Sequence, residues 1–404
     1  VAPPAGTTLL LVIPAPLHES DGRLWLDAQA CNGLRLWLDH FDRVILCAPL
    51  AGHGPVPADM VEIFASLPAD RLEVHPLPVA FTPLRFVRNF RAVRRRLLAQ
   101  IARATHCQFA IGGSWGDWGA LATILATRRR RKVAVWTDRV ESEVMRFQAR
   151  GYRGVRRLYR RFNAWLAERL ERFVIGHAAI GLFHGMDSYR AYARFSRGPH
   201  LVHNIHLGAE HRIVPAALEA KVARRGQPMR IVYAGRVHPD KGPEDWIEAL
   251  ARLGDGAAVR ATWYGDGPLL DAARRIVSER GLGDRIAFPG RVSDRTALLA
   301  ALAEADIFLF CHKTPESARC LIEALLSGTP IVGYASPYAE DLIATHGGGL
   351  LTGHDPAALA ATVSALAGDR DRLADLARRA AADGRPMTDS AVFAHRAELI
   401  KRLS

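Results

Sequence analysis

RIVYAGRVHPDKG occupies residues 230–242, and TPESARCLIEALLSGTPIVGY occupies 314–334. The first stretch predicts an apolar strand, Ile231 to Ala234, then a glycine turn carrying Arg236 and Lys241, then a helix opening at Pro243. The second follows an apolar strand, Ile307 to Cys311, and predicts a helix bearing Glu316 and Glu323, then another strand. A strand, a glycine turn and a helix N-terminus offer backbone N–H groups and a positive dipole end to phosphate. Gly235, Gly242 and Pro243–Glu244 supply those parts. Two cations at one strand end and two carboxylates at another suit a ligand with a diphosphate and a row of hydroxyls. A nucleotide sugar is such a ligand.

Lys241 stands out because the chain has 54 Lys plus Arg, of which only Lys132, Lys221, Lys241, Lys313 and Lys401 are lysine. A flexible point charge follows a phosphate where a planar arginine fork cannot. Glu316 and Glu323 lie seven positions apart, nearly two turns, and share a face if both are helical. Carboxylates accept paired hydrogen bonds from vicinal diols. Glu323 sits within an apolar run, Cys320 to Leu326, where an unpaired charge is costly. A further glycine turn, WYGDGP at 263–268, ends another strand.

These two stretches set the frame for the remainder. At 404 residues, with 49% hydrophobic and 24% charged residues, the chain reads as two globular domains. No apolar run approaches the ~20 residues of a membrane span. Leu9 to Pro16 reads as a buried first strand rather than a signal peptide. Cys31, Cys47, Cys107, Cys311 and Cys320 lack metal-type spacing and read as reduced core thiols of a cytoplasmic protein.

Strands are predicted at Thr8–Ile13, Val44–Cys47, Leu72–His75, Phe109–Ile111, Val133–Trp136 and Ala178–Leu182. Helices fall at Trp25–Asp39, Leu84–Ala104 and Trp118–Arg128. The α/β alternation then restarts, with strands at Ile231–Ala234, Ala261–Tyr264, Ile286–Phe288, Ile307–Phe310, Ile331–Gly333 and Gly349–Leu351. The expected organisation is a first Rossmann-like domain over 1–211, a connection over 212–229 and a second domain over 230–385. A last helix within 386–404 is free to cross back to the first domain. Two such domains in series are expected to face each other across a cleft.

The second half resembles the retaining GT-B glycosyltransferases, the group that includes sucrose synthase and the phosphatidylinositol mannosyltransferases. The resemblance rests on Gly-Arg-x4-Lys-Gly at 235–242, Gly-Asp-Gly at 265–267, Phe-Pro-Gly-Arg-Val at 288–292 and Glu-x6-Glu-Ala-Leu-x-Ser-Gly-Thr-Pro at 316–330. It implies a donor pocket for a UDP- or GDP-sugar formed by Gly235, Arg236, Lys241, Gly265, Val292, Glu316, Ser317, Arg319 and Glu323. Within it Arg236 and Lys241 would neutralise the diphosphate, Glu323 would bind the ribose diol, and Glu316 would face the transferred sugar. The chain departs from that group in a Glu–Glu spacing one residue shorter and in Ser317–Ala318–Arg319 after the first Glu. Arg319 thereby becomes available to an acidic sugar or to phosphate.

No zinc cluster and no Asp-x-Asp at a strand end is present, and two cations can stabilise a leaving diphosphate without a metal. Retention without a metal or other cofactor is the expected chemistry. Asp138, after strand Val133–Thr137, and Asp21, after the first strand, are the acceptor-side acid/base candidates.

Net charge is +13, of which Val1 to His211 holds +12 and Arg212 to Ser404 holds +1. Leu84 to Ile101 sets Phe90, Val93, Leu97 and Ile101 against Arg88, Arg91 and Arg95. Val155 to Phe173 sets Val155, Leu158, Phe162, Leu166 and Phe173 beside Arg153, Arg156, Arg157, Arg160 and Arg161. Basic amphipathic helices bearing aromatics suit an anionic membrane surface. The leading expectation is therefore a glycosyltransferase on the inner face of the cell membrane, with a lipid-linked or glycan acceptor. A nucleotide-sugar epimerase of the same fold and a non-catalytic polyanion binder are the alternatives. The second leaves both glutamates unexplained, and no nucleic-acid module is recognisable.

Overall fold

The computed structural model describes residues 6–57, 60–224, 227–254, 258–292 and 294–403. The first five residues, 225–226 of the expected connection, and Ser404 of the last helical segment lie outside the described residues. The chain divides into a unit of Val1–His206 with Asp389–Ser404 and a unit of Leu207–Thr388.

The first unit carries strands β1 (Thr8–Val12), β2 (Leu17–Ser20), β3 (Arg23–Asp27), β4 (Arg43–His53), β5 (Met60–Glu62), β6 (Leu72–Pro78), β7 (His106–Ala110), β8 (Ala134–Thr137), β9 (Ile180–His184) and β10 (Pro199–Val202). Parallel pairings run β10-β9-β8-β7-β1-β4-β6. Every residue of β1, β7 and β9 is buried, as a parallel sheet covered on both faces demands. Helices Pro83–Arg103, Trp118–Arg128 and Gly154–His177 connect β6 through β9. Val93, Leu97 and Ile101, Ala122 and Ala126, and Val174 and Ile175 from these helices join Phe109 and Val135 in one core.

The helix expected from Trp25 begins at Ala28, because residues 23–27 form β3 instead. Asp27 stops the strand by accepting the Gln29 and Ala30 N–H groups at 3.0 and 3.2 Å. β2 and β3 form a hairpin turned by Asp21–Gly22, with φ of 51° and 71°. Asp-Gly is the pair that such a turn selects. Asp21 is thus an exposed turn residue.

The last helix, Asp389–Lys401, packs within the first unit. Its Arg396 is buried beneath the rings of Trp37, Trp136 and Phe393, 4.9, 5.3 and 4.9 Å from their centres. It donates to Asn204 and Gln108 at 3.3 and 3.4 Å. Cation–π contact and amide acceptors replace the carboxylate that a buried guanidinium ordinarily needs.

The second unit carries β11 (Met229–Ala234), β12 (Val259–Tyr264), β13 (Ile286–Gly290), β14 (Ile307–Phe310), β15 (Ile331–Tyr334) and β16 (Gly349–Thr352), ordered β13-β12-β11-β14-β15-β16 and all parallel. Strand order reverses between β11 and β14. Ligands of such sheets bind outside the carboxyl ends at that reversal. Much of the expected connection is itself helical, at Pro215–Val222. Its Lys221 is buried and donates to Gly328 O at 2.9 Å and Thr329 Oγ1 at 2.6 Å, just past the end of helix Arg319–Leu326. A cation there complements the negative helix end.

In the first unit Glu171 is buried and accepts from the Tyr192 hydroxyl at 2.8 Å. Burial, with smaller repulsion from Glu141 and Asp117, pushes its carboxyl up to about 8. A native state that holds this proton is favoured at low pH and loses that advantage as pH rises from the ordinary carboxylate value through about 8. Thermal melts should therefore show stability falling over this range, and Glu171→Gln should flatten the fall. An identical pH slope in the two proteins would remove Glu171 as its source.

Candidate functional site

The carboxyl ends of β11 and β14 bring the predicted residues of the second unit together. Beyond β11, Gly235 donates to Tyr264 O at 2.9 Å, and the chain turns to Lys241 and Gly242. Gly242 is left-handed at φ 65°, and a Cβ there would lie 2.4 Å from Cys311 O. Gly265, at φ 154°, sits so close to the first turn that a Cβ would meet Gly235 O at 1.9 Å. Glycine is required at both positions for close approach of two backbones.

Lys241 Nζ forms an ion pair with Glu316 Oε1, and their side chains are only 10% and 11% exposed. His312 Nδ1 lies 3.8 Å from the same oxygen, while its Nε2 is 2.8 Å from the Tyr233 hydroxyl. Burial, then the Lys241 charge, hold the His312 pKa well below the usual imidazole range, so the ring is neutral. Arg236 is mostly exposed and stands 3.7 Å from Asp240, which also contacts His238. Glu323 is buried and accepts from Arg295 Nη2 at 2.5 Å.

One expectation fails locally. Glu316 is not helical: the helix opens at Arg319, after Ala318 with φ −70° and ψ 112°. The Lys313 N–H donates to Asp240 O at 2.8 Å, binding this loop to the 235–242 turn instead of into a helix. The two glutamates therefore do not share a helix face. Glu316 reaches Lys241 from a loop, and Glu323 reaches Arg295 from the helix. Ser317 is buried in the same loop, Val292 is half-buried after β13, and Arg319 is half-buried at the helix start.

His312 and Arg295 were not anticipated. The signal for His312 is its place between an apolar strand and Glu316, four residues on. Arg295 carried none, since pairing with Glu323 across 28 positions is set only by the fold.

In the first unit, Asp138 is exposed directly beyond β8. Near the ends of β1, β4 and β7 lies a small open pocket whose lining includes Phe81, Trp115, Trp118 and Asp117. The signal missed was GGSWGDW at 112–118. Asp117 accepts from the N–H groups of Gly112 at 2.9 Å and Ala120 at 2.8 Å. Burial raises its pKa to about 6 against the pull of those amides.

The two basic helices differ. Val93, Leu97 and Ile101 of Pro83–Arg103 are core residues, leaving Leu84 and Val87 of its first turns exposed. In Gly154–His177 the apolar row itself is outside: Val155, Leu158 and Phe162 are 83%, 70% and 52% exposed. Arg153, Arg156, Arg157, Arg160 and Arg161 are exposed beside them. The inward face of this helix is built from Asn163, Ala164, Ala167, Glu171, Val174 and Ile175. Among the described residues, no group of His, Cys, Asp and Glu is arranged to hold a metal, and no helix is long and apolar enough to cross a membrane.

Residues 216–383, most of the second unit, match the family model for Glycosyl transferases group 1. The chain is 31% identical over 125 residues to a 2-deoxystreptamine glucosyltransferase of Streptomyces kanamyceticus, covering 30% of this chain and 32% of that one. It is 32% identical over 143 residues, 35% and 36% of the two chains, to a GDP-mannose-dependent alpha-(1-6)-phosphatidylinositol dimannoside mannosyltransferase of Mycobacterium tuberculosis. These matches span about a third of each curated relative. The crystal structure of Anabaena HepE in complex with UDP aligns over 98% of this chain and all of that one, at TM-score 0.66 and 16% identity. The two Rossmann-like units therefore constitute a GT-B fold.

The clash at Gly265 makes a direct test of the paired turns. Gly265→Ala should lower unfolding free energy by on the order of 3 kcal/mol. Gly283→Ala, where a Cβ meets nothing within 4 Å, should stay within about 0.5 kcal/mol. Equal melting temperatures for the two variants would show that the turns do not depend on each other.

Proposed function

We propose that the protein is a retaining, metal-independent glycosyltransferase that moves a sugar from a UDP- or GDP-linked donor to a lipid-linked or glycan acceptor at the inner face of the cell membrane. The observation that carries this reading is the Lys241–Glu316 pair at the sheet's reversal point, with Glu323 on the helix that follows. The diphosphate draws Lys241 away from Glu316 and adds Arg236, so positive charge meets the charge that develops as the glycosidic bond breaks. Glu316, released, accepts hydroxyls of the transferred sugar, and neutral His312 stands beside it. Glu323 accepts the ribose diol.

The first unit takes the acceptor in this reading. The Phe81, Trp115 and Trp118 pocket offers aromatic faces for sugar or lipid-linked groups. Asp138 remains the acid/base candidate on that side. The exposed Val155, Leu158 and Phe162 with their neighbouring arginines form a surface suited to anionic lipid, each arginine contributing about 1 kcal/mol.

Lys241→Ala should raise the barrier by about 2–4 kcal/mol, a loss of roughly 30- to 1000-fold in turnover. Excess chelator should leave the rate unchanged, and the product anomer should match that of the donor. Full turnover in a folded Lys241→Ala protein removes the diphosphate assignment, and an inverted product removes retention.

Replacing Arg156, Arg157, Arg160 and Arg161 together by Gln should abolish sedimentation with anionic vesicles while nucleotide binding persists. Equal sedimentation of the wild type with neutral and anionic vesicles would contradict the membrane assignment.

A further inference from the structure

Among the described residues around the ligand-binding edge of the second unit are the cations Arg236, Lys241, Arg295, Lys313 and Arg319. Four face a carboxylate. Arg236 faces Asp240 at 3.7 Å, Lys241 pairs with Glu316, Arg295 meets Glu323 at 2.5 Å, and Lys313 meets Asp245 at 2.7 Å. The Asp245 carboxylate also accepts from the Tyr334 hydroxyl at 2.9 Å, so the Lys313 pair is locked into the fold. Arg319 is different: half-buried, its side chain has no hydrogen bond, ion pair or ring contact with any described residue.

A guanidinium with no carboxylate partner in the fold is available to a bound anion. The diphosphate already has two cations on the 235–242 turn. Arg319 lies on the opposite segment, three residues past Glu316 and four before Glu323, on the side assigned to the hydroxyl-bearing parts of the donor. A second anion on the donor therefore belongs on its sugar.

We propose that Arg319 binds the carboxylate of an acidic sugar, so that the donor is a nucleotide-linked hexuronate. This rests on the donor-site reading above. The planar guanidinium matches a carboxylate with two parallel N–H···O bonds, a geometry that lysine cannot reproduce. A neutral hexose offers Arg319 no carboxylate, so the same residue favours the uronate over it.

Calorimetric titration of the full chain separates this proposal from the reading beneath it. The ligands are UDP, UDP-glucose and UDP-glucuronate, with GDP, GDP-mannose and GDP-mannuronate as the second set. In the set whose nucleoside diphosphate binds, the wild type should take the uronate at least tenfold more tightly than the neutral sugar. Arg319→Ala should erase that preference while affinity for the bare diphosphate stays within twofold, and Arg319→Lys should restore only part of it. Equal wild-type affinities for uronate and neutral sugar overturn the proposal. So does an Arg319→Ala protein that loses bare diphosphate and uronate alike, since Arg319 would then be a phosphate ligand. Failure of both UDP and GDP to bind overturns the donor site itself.

Discussion

The contact between Lys241 and Glu316 is the interaction on which the second unit's site depends. Each charge is nearly buried, and neither is tolerable there alone. Their pairing requires the end of β11 and the loop after β14 to meet, which the Lys313 N–H to Asp240 O bond secures. It also requires glycine at 242 and 265, where any side chain would strike the neighbouring backbone. The pair neutralises both charges within the fold; in the function proposed above, an incoming phosphate competes for Lys241 and an incoming hydroxyl for Glu316. Glu323 and Arg295 repeat this arrangement on the adjoining helix.

How much of this was legible in the sequence follows from distance along the chain. All six strands of the second unit were found, because each is a short apolar run bounded by glycine, proline or polar residues. The boundaries moved by one or two residues, as strand ends set by pairing do. In the first unit β2, β3, β5 and β10 escaped notice. β2 and β3 alternate too briefly to be separated from the helix that follows. Glu316 and Glu323 were identified as residues but placed on one helix, since the tether from Lys313 to Asp240 joins segments about seventy positions apart. The partners of Glu323 and Arg396 were invisible for the same reason.

Charge tells a comparable story for the first unit. The excess of basic residues there was plain in the sequence, but whether the apolar rows beside the arginines were core or surface was not. The helix Gly154–His177 buries small residues, Ala164 and Ala167 among them, and leaves its larger Val155, Leu158, Phe162 and Trp165 in solvent. Small residues let a helix sit close to its neighbours, so the larger apolar residues lie on the outer side, beside the arginines. This exposed apolar row flanked by cations is the observation on which the proposed lipid contact rests.

The central claim is that one ligand engages the 235–242 turn and the 316–323 segment together. Hydrogen–deuterium exchange of the full chain with and without saturating UDP or GDP tests it most directly, because it locates binding without relying on turnover. The account predicts slower exchange in peptides covering both segments at once, with 153–173 unchanged. Protection confined to the arginine-rich helix, or absent from either of the two segments, would contradict it.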